Sequence, residues 1–98
     1  VMGEAKLAMG EIDRLTNELA SQIKATQAED GCELYCFARD VLEPSTLIIS
    51  ERWRDRAALD AHFQMPHMAV FNAVIGAAKV LDISAMAYEN GKARSLIG

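Results

Sequence analysis

Residues 11–40 read EIDRLTNELASQIKATQAEDGCELYCFARD, and the hydrophobic period changes inside this stretch. From Glu11 to Glu29 the apolar positions Ile12, Leu15, Leu19 and Ile23 recur at intervals of three and four, and Ala20 and Thr26 continue the stripe. That spacing puts them on one face of an amphipathic helix. Asp30-Gly31 stops the helix, because glycine takes the left-handed capping conformation without a Cβ clash. From Cys32 to Asp40 the period falls to two. Cys32, Leu34, Cys36 and Ala38 share one face of a strand; Glu33, Tyr35, Phe37 and Arg39 share the other. Both faces carry apolar groups, so this strand expects cover on both sides.

The rest of the chain extends the pattern in both directions. Upstream, Val1–Leu7 alternates weakly as a strand, and Met9-Gly10 ends it. Downstream, Glu43-Pro44-Ser45 is a turn signal. Thr46–Trp53 is the next strand, and the short separation predicts an antiparallel hairpin with Cys32–Asp40. Asp55 is a candidate N-cap for a helix over Arg56–Gln64. Pro66 interrupts, a further helix covers His67–Gly76, and Ala78–Glu89 reads as the last strand. Asn90-Gly91 leads into a tail, residues 90–98. The order β-α-β-β-α-(α)-β is that of the ferredoxin-like split βαβ, an α+β fold. It predicts a four-stranded antiparallel sheet with the helices on one face. The chain has no residues left to cover the second, partly apolar face. A homodimer through that open sheet face is the expectation, with the tail as an arm across the partner.

Composition sets outer limits. The 98 residues suit a single domain over 1–98. A chain this size buries about 60–65% of its unfolded surface, a modest core that a second subunit would extend. The net charge of −4 argues against a nucleic-acid surface. No apolar run reaches the roughly 18–20 residues of a membrane helix. Glu4 and Lys6 break any signal-peptide pattern at the start, and since the first residue is not Met, leading residues are expected to precede it. Cys32 and Cys36 would stand roughly 13 Å apart along a strand, beyond the reach of a disulfide of about 7 Å. Reduced cysteines fit a cytoplasmic protein.

Four blocks of this sequence resemble a known family. Thr26-Gln27-Ala28-Glu29-Asp30-Gly31-Cys32-Glu33-Leu34-Tyr35 resembles the T-x-x-E-x-G-C-x-x-Y signature of the antibiotic biosynthesis monooxygenase family. Glu51-Arg52-Trp53 resembles its E-x-W, Ala58-Leu59-Asp60-Ala61-His62 its A-L-x-x-H, and Pro66 to Phe71 its P-H-x-x-x-F. The blocks stand in the family's order and cover nearly the whole chain. The resemblance implies a dimeric α/β barrel. It also implies cofactor-independent oxygenation of a quinol or another aromatic phenolic substrate, as in some members. A non-catalytic ligand-binding or structural role on the same fold is the alternative. One branch of the superfamily degrades haem with Asn, Trp and His. The corresponding positions here look like Glu4, His62 and Asn72, which disfavours haem.

The residues themselves suggest a site. Glu51 and Trp53, two apart on a strand, point to one face. A carboxylate there needs a partner, and His62 on the following helix is the expected one. His62 is then the candidate base and Glu51 the group that orients it, while a structural strand-to-helix pair is the competing reading. Trp53, Tyr35, His67, Phe71 and Met68 are candidate substrate-binding residues, since an aromatic-lined pocket with a few polar groups suits a planar ligand. Phe37 and Phe63 are expected in the core or dimer interface. A metal site from His62, His67 and Glu51 matches no trusted spacing, and none is predicted. Arg52, Arg54 and Arg56 read as a solvated charged face.

Overall fold

The computed structural model describes residues 1–89 and 94–96. The expected tail falls mostly outside them. Eight elements follow one another: β1 (Met2–Leu7), α1 (Glu11–Arg14), α2 (Thr16–Gln27), β2 (Cys32–Arg39), β3 (Thr46–Trp53), α3 (Arg56–Phe63), α4 (Pro66–Ala77) and β4 (Val80–Met86). The strands form one antiparallel sheet in the order β2-β3-β1-β4. This is the ferredoxin-like α+β architecture that the element order predicts.

The register explains the two faces. Ala5 lies opposite Leu47 and Ile83, and Phe37 opposite Ile49. Ala5, Leu7 and Leu47 meet Ile12 of α1, Leu19 of α2 and Leu15 at the junction between them, and these six form the buried core. The alternate residues form the second face. Met2 is 63% exposed, Leu34 42% and Met86 61%, and Cys36 is exposed among them. Both cysteines are free thiols.

Two expectations about the helices change. The continuous helix over Glu11–Glu29 is broken at Leu15, whose φ of −97° and ψ of 7° leave the helical region. There the Thr16 hydroxyl donates to the Ile12 carbonyl, the kind of bond that bends a helix. The buried stripe then runs Ile12, Leu15, Leu19, Gln22 and Thr26, so the amide Gln22 takes the inward place expected of Ile23. The second change concerns α4. Its sequence is apolar almost all round, yet none of its residues is fully buried, and Val70 is 67% exposed. Phe71 and Val74 only partly pack on the core.

Asp55 caps α3 as expected, its carboxylate accepting from the Ala58 amide at 2.8 Å. The turn before β2 is more constrained than a simple helix stop. Gly31 sits at φ +82°, and a Cβ there would lie 2.5 Å from the Ala58 Cβ. Glycine therefore meets two demands at once: the left-handed turn, and the close approach of α3 to the end of α2.

Candidate active site

That approach brings together three side chains from three separate elements. α2 ends at Gln27, so Glu29 lies in the turn behind it. Ala58 and His62, four apart, share the inward face of α3. His67 is the second residue of α4, after Pro66 at the first helical position. The link between the helices is tied down, with the Met65 amide donating to the His62 carbonyl at 3.1 Å.

Glu29 Oε2 contacts both histidines, His62 Nδ1 at 2.6 Å and His67 Nε2 at 2.9 Å. The Glu29 side chain is 4% exposed, that of His62 1% and that of His67 25%. A carboxylate this buried requires such partners, and hydrogen bonds to a charged acceptor are short and strong. Among the described residues, Glu29 Oε1 has no hydrogen-bond partner. Thr26 Oγ1 lies 3.4 Å from His67 Nε2.

The expected Glu51–His62 pair is not made. Glu51 instead accepts from Trp53 Nε1 at 3.0 Å on its own strand. The carboxylate beside His62 is Glu29, from the α2–β2 turn; β3 meets the inner face of α3 through the Trp53 ring, and Glu51 is held on its own strand by the Trp53 indole. Trp53 is close to His62, its ring centroid 4.8 Å away. Trp53 and Glu51 also line a groove of about 610 Å³ beside Arg52, Arg54, Arg56 and Tyr88. Those arginines are exposed and ion-paired, Arg52 with Glu33, Arg54 with Asp30 and Asp55, and Arg56 with Asp60 and Glu89.

The remaining candidates surround the histidines. Tyr35 is buried, its ring centroid 5.6 Å from that of His62. Its hydroxyl accepts from Gln22 Nε2 at 3.2 Å, and burial pushes its pKa up to about 12, so the phenol stays neutral. Met68 Sδ accepts from the same Gln22 amide at 3.0 Å. Phe71 stacks on Phe37 with centroids 5.9 Å apart. Between α2 and α4 lies a groove of about 320 Å³, and His67, Gln22, Val70, Phe71 and Val74 line it. His67 is thus the member of the three that meets an open space, while His62 stands behind it.

Sequence reasoning missed Glu29 and Gln22. The signal for Glu29 was present: it stands three residues after the buried Thr26, on the same stripe, and its amide donates to the Thr26 carbonyl. Gln22 had a weaker signal, its place three residues after Leu19 on the apolar stripe.

Comparison with known proteins identifies the family and the fold. Residues 1–74 match the family model described as antibiotic biosynthesis monooxygenase. The chain belongs to this family. It is 43% identical over 49 residues to an uncharacterized protein of Synechocystis sp., covering 50% of this chain and 33% of that protein. It is 38% identical over 58 residues to "Putative monooxygenase Rv0793" of Mycobacterium tuberculosis, covering 59% of this chain and 56% of that one. The matches thus span about a third to just over half the length of these curated relatives. Among solved structures, a "putative antibiotic biosynthesis monooxygenase" from Deinococcus radiodurans superposes with a TM-score of 0.89 at 28% identity, covering 99% of this chain and 96% of that one. The Rv0793 structure gives 0.71 at 28% identity, covering 92% and 95%. Among the described residues, no helix is long and apolar enough to cross a membrane.

Proposed function

We propose that this family member is a monooxygenase that binds a quinol or a related phenol in the α2–α4 groove and begins by removing its hydroxyl proton. The observation that carries the reading is the shared carboxylate. Glu29 holds His67 by one nitrogen, leaving Nδ1 outside those contacts, and the ring borders the groove. Glu29 fixes the ring and stabilises the imidazolium formed on proton uptake, a role that usually raises a base's effectiveness. His62, fully buried, is a positioning residue that completes the coordination of Glu29. This exchanges the roles expected from the sequence: His67 becomes the base, Glu29 replaces Glu51, and His62 stands behind them.

The phenolate is the electron donor, so the step calls on no cofactor. Oxidation of a phenol to a quinone balances: one oxygen atom of O₂ enters the ring, and the other leaves as water with two hydrogens from the substrate. The substrate supplies all four electrons. Phe71 and Val70 offer apolar contact to the ring, and the Gln22 amide lies at the groove wall. The working unit in this reading is a homodimer through the open sheet face, supported by the exposed Met2, Leu34 and Met86 there.

Oxygen uptake with a panel of quinols and phenols, aerobic against anaerobic, tests the activity. Turnover by the wild type with a roughly 100-fold or greater loss in His67→Ala is expected. The absence of uptake for every compound would refute the oxygenase reading. Full activity in His67→Ala would refute the role of that residue.

A further inference from the structure

We propose that Glu29, His62 and His67 form a binding site for a divalent transition-metal ion, with zinc and ferrous iron the ions its donor set fits best. The inference goes beyond the oxygenase reading and does not rest on it. One ligand atom from each residue lies within 4.8 Å of the others. Two imidazoles and one carboxylate are the donors of three-ligand catalytic zinc sites and of non-haem iron centres. Magnesium and calcium prefer cages of oxygen ligands and suit this set poorly.

The distances are those of a site closed on hydrogens. Around a tetrahedral ion, ligands stand about 2.0–2.2 Å from the metal and therefore roughly 3.3–3.5 Å from one another. The present separations from Glu29 Oε2 are 2.6 Å to His62 and 2.9 Å to His67, so the first must open by about 0.7–0.9 Å and the second by about 0.4–0.6 Å. The ion would take the place of the hydrogens now shared between these atoms. A second observation points the same way. Glu29 Oε1 is buried and has no hydrogen-bond partner among the described residues, a costly state for a carboxylate oxygen. A bound cation would satisfy it through bidentate or alternating ligation. The ion has a path in, because the His67 ring is a quarter exposed and borders the α2–α4 groove.

Linear spacing conceals the set. The carboxylate lies 33 residues before the first histidine, and only the Gly31 turn and the α3–α4 link bring the three together.

The test uses the full chain with any histidine tag removed, since His62 and His67 are its only histidines. Metal-stripped protein is titrated with zinc by calorimetry and with cobalt(II) by visible absorption, magnesium serving as the control. One ion per chain is expected, with a tetrahedral-type cobalt spectrum lacking thiolate charge-transfer bands. Glu29→Gln and His67→Ala should each weaken binding by roughly 100-fold or more, while replacing Cys32 and Cys36 by serine should leave it unchanged. If Glu29→Gln does not fold, His67→Ala carries the comparison, because its ring is partly exposed. Zinc binding that survives the ligand substitutions, that vanishes with the cysteines, or that is no tighter than magnesium binding would overturn the proposal. Oxygen uptake by chelator-treated protein, measured separately, bears on the oxygenase reading alone.

Discussion

Replacing Glu29 by alanine tests whether this carboxylate, and not Glu51, holds His62 in place. The substitution removes a 2.6 Å contact to a ring nitrogen that is almost fully buried. A hydrogen bond to a charged group is worth about 1.5–3 kcal/mol, and stranding its buried partner adds a penalty of similar size. The second contact, to the quarter-exposed His67, is worth less because water can replace it. Relief from burying a carboxylate offsets part of the total. The net expectation is a loss of about 2–3 kcal/mol, or roughly 10–20 °C in Tm for a domain of this length. The assay is a double-mutant cycle of Glu29→Ala and His62→Ala by chemical denaturation at fixed protein concentration. The coupling energy should be about 1.5–3 kcal/mol. The parallel cycle of Glu51→Ala and His62→Ala should give less than about 0.5 kcal/mol, since independent sites add. A Glu29–His62 coupling below that level, or a larger Glu51–His62 coupling, would refute the pairing.

Other outcomes follow from single features. Gly31→Ala should destabilise by more than about 2 kcal/mol, combining the left-handed backbone cost with the clash at Ala58; a Tm within 2–3 °C of wild type (roughly half a kcal/mol) would show that the turn relaxes freely. Glu11 accepts from both Arg14 and the Lys79 amide, and these bonds hold its pKa at about 2 against an ordinary 4.5. Its contribution is complete above pH 4.5 and is lost as the pH falls towards 2; acid titration of Glu11→Gln should lack that part of the loss. Tyr35 behaves in the opposite sense, because burial raises its pKa from 10.0 to about 12, and its contribution is lost as the pH rises through that window. In a Tyr88→Phe background the phenolate absorbance should rise only near pH 12 or with unfolding, and a rise at pH 10 would contradict the burial. Leu34→Arg should shift the sedimentation coefficient from dimer to monomer; a monomeric wild type at micromolar concentration would dispose of the dimer itself.

Much of the fold was legible because each element announces itself locally. The change of period across Asp30-Gly31, the Asp55 cap and the Pro66 interruption place strands and helices within one or two residues at most boundaries. The break at Leu15 was not legible, since nothing in the hydrophobic stripe marks the Thr16 back-bond. The site was legible in its residues but not in its pairings. His62, Tyr35, Trp53 and His67 do converge, as their place in the quoted blocks suggests. Which carboxylate meets the histidines depends on how deeply α3 approaches the end of α2, and the absence of a Cβ at Gly31 decides that depth. Strand alternation correctly puts Glu51 beside Trp53 but carries no information on what the opposite helix reaches. The exposure of α4 was equally hidden, because an apolar helix reads as buried whether its cover comes from the same chain or from another.

The Glu29–His62 contact closes a ring of chain that contains the whole β2–β3 hairpin. Bringing the ends of so long a loop together carries an entropic cost that the hairpin alone does not offset. The contact exists only while the hairpin, α3 and the Gly31 turn are all in register. Any fluctuation that frays α3 opens the ring and disperses the three polar side chains, even if the sheet survives. The state of the histidines is therefore a gauge of the fold's completeness. A partly assembled chain would carry both strands of the hairpin and still lack the cluster of Glu29, His62 and His67.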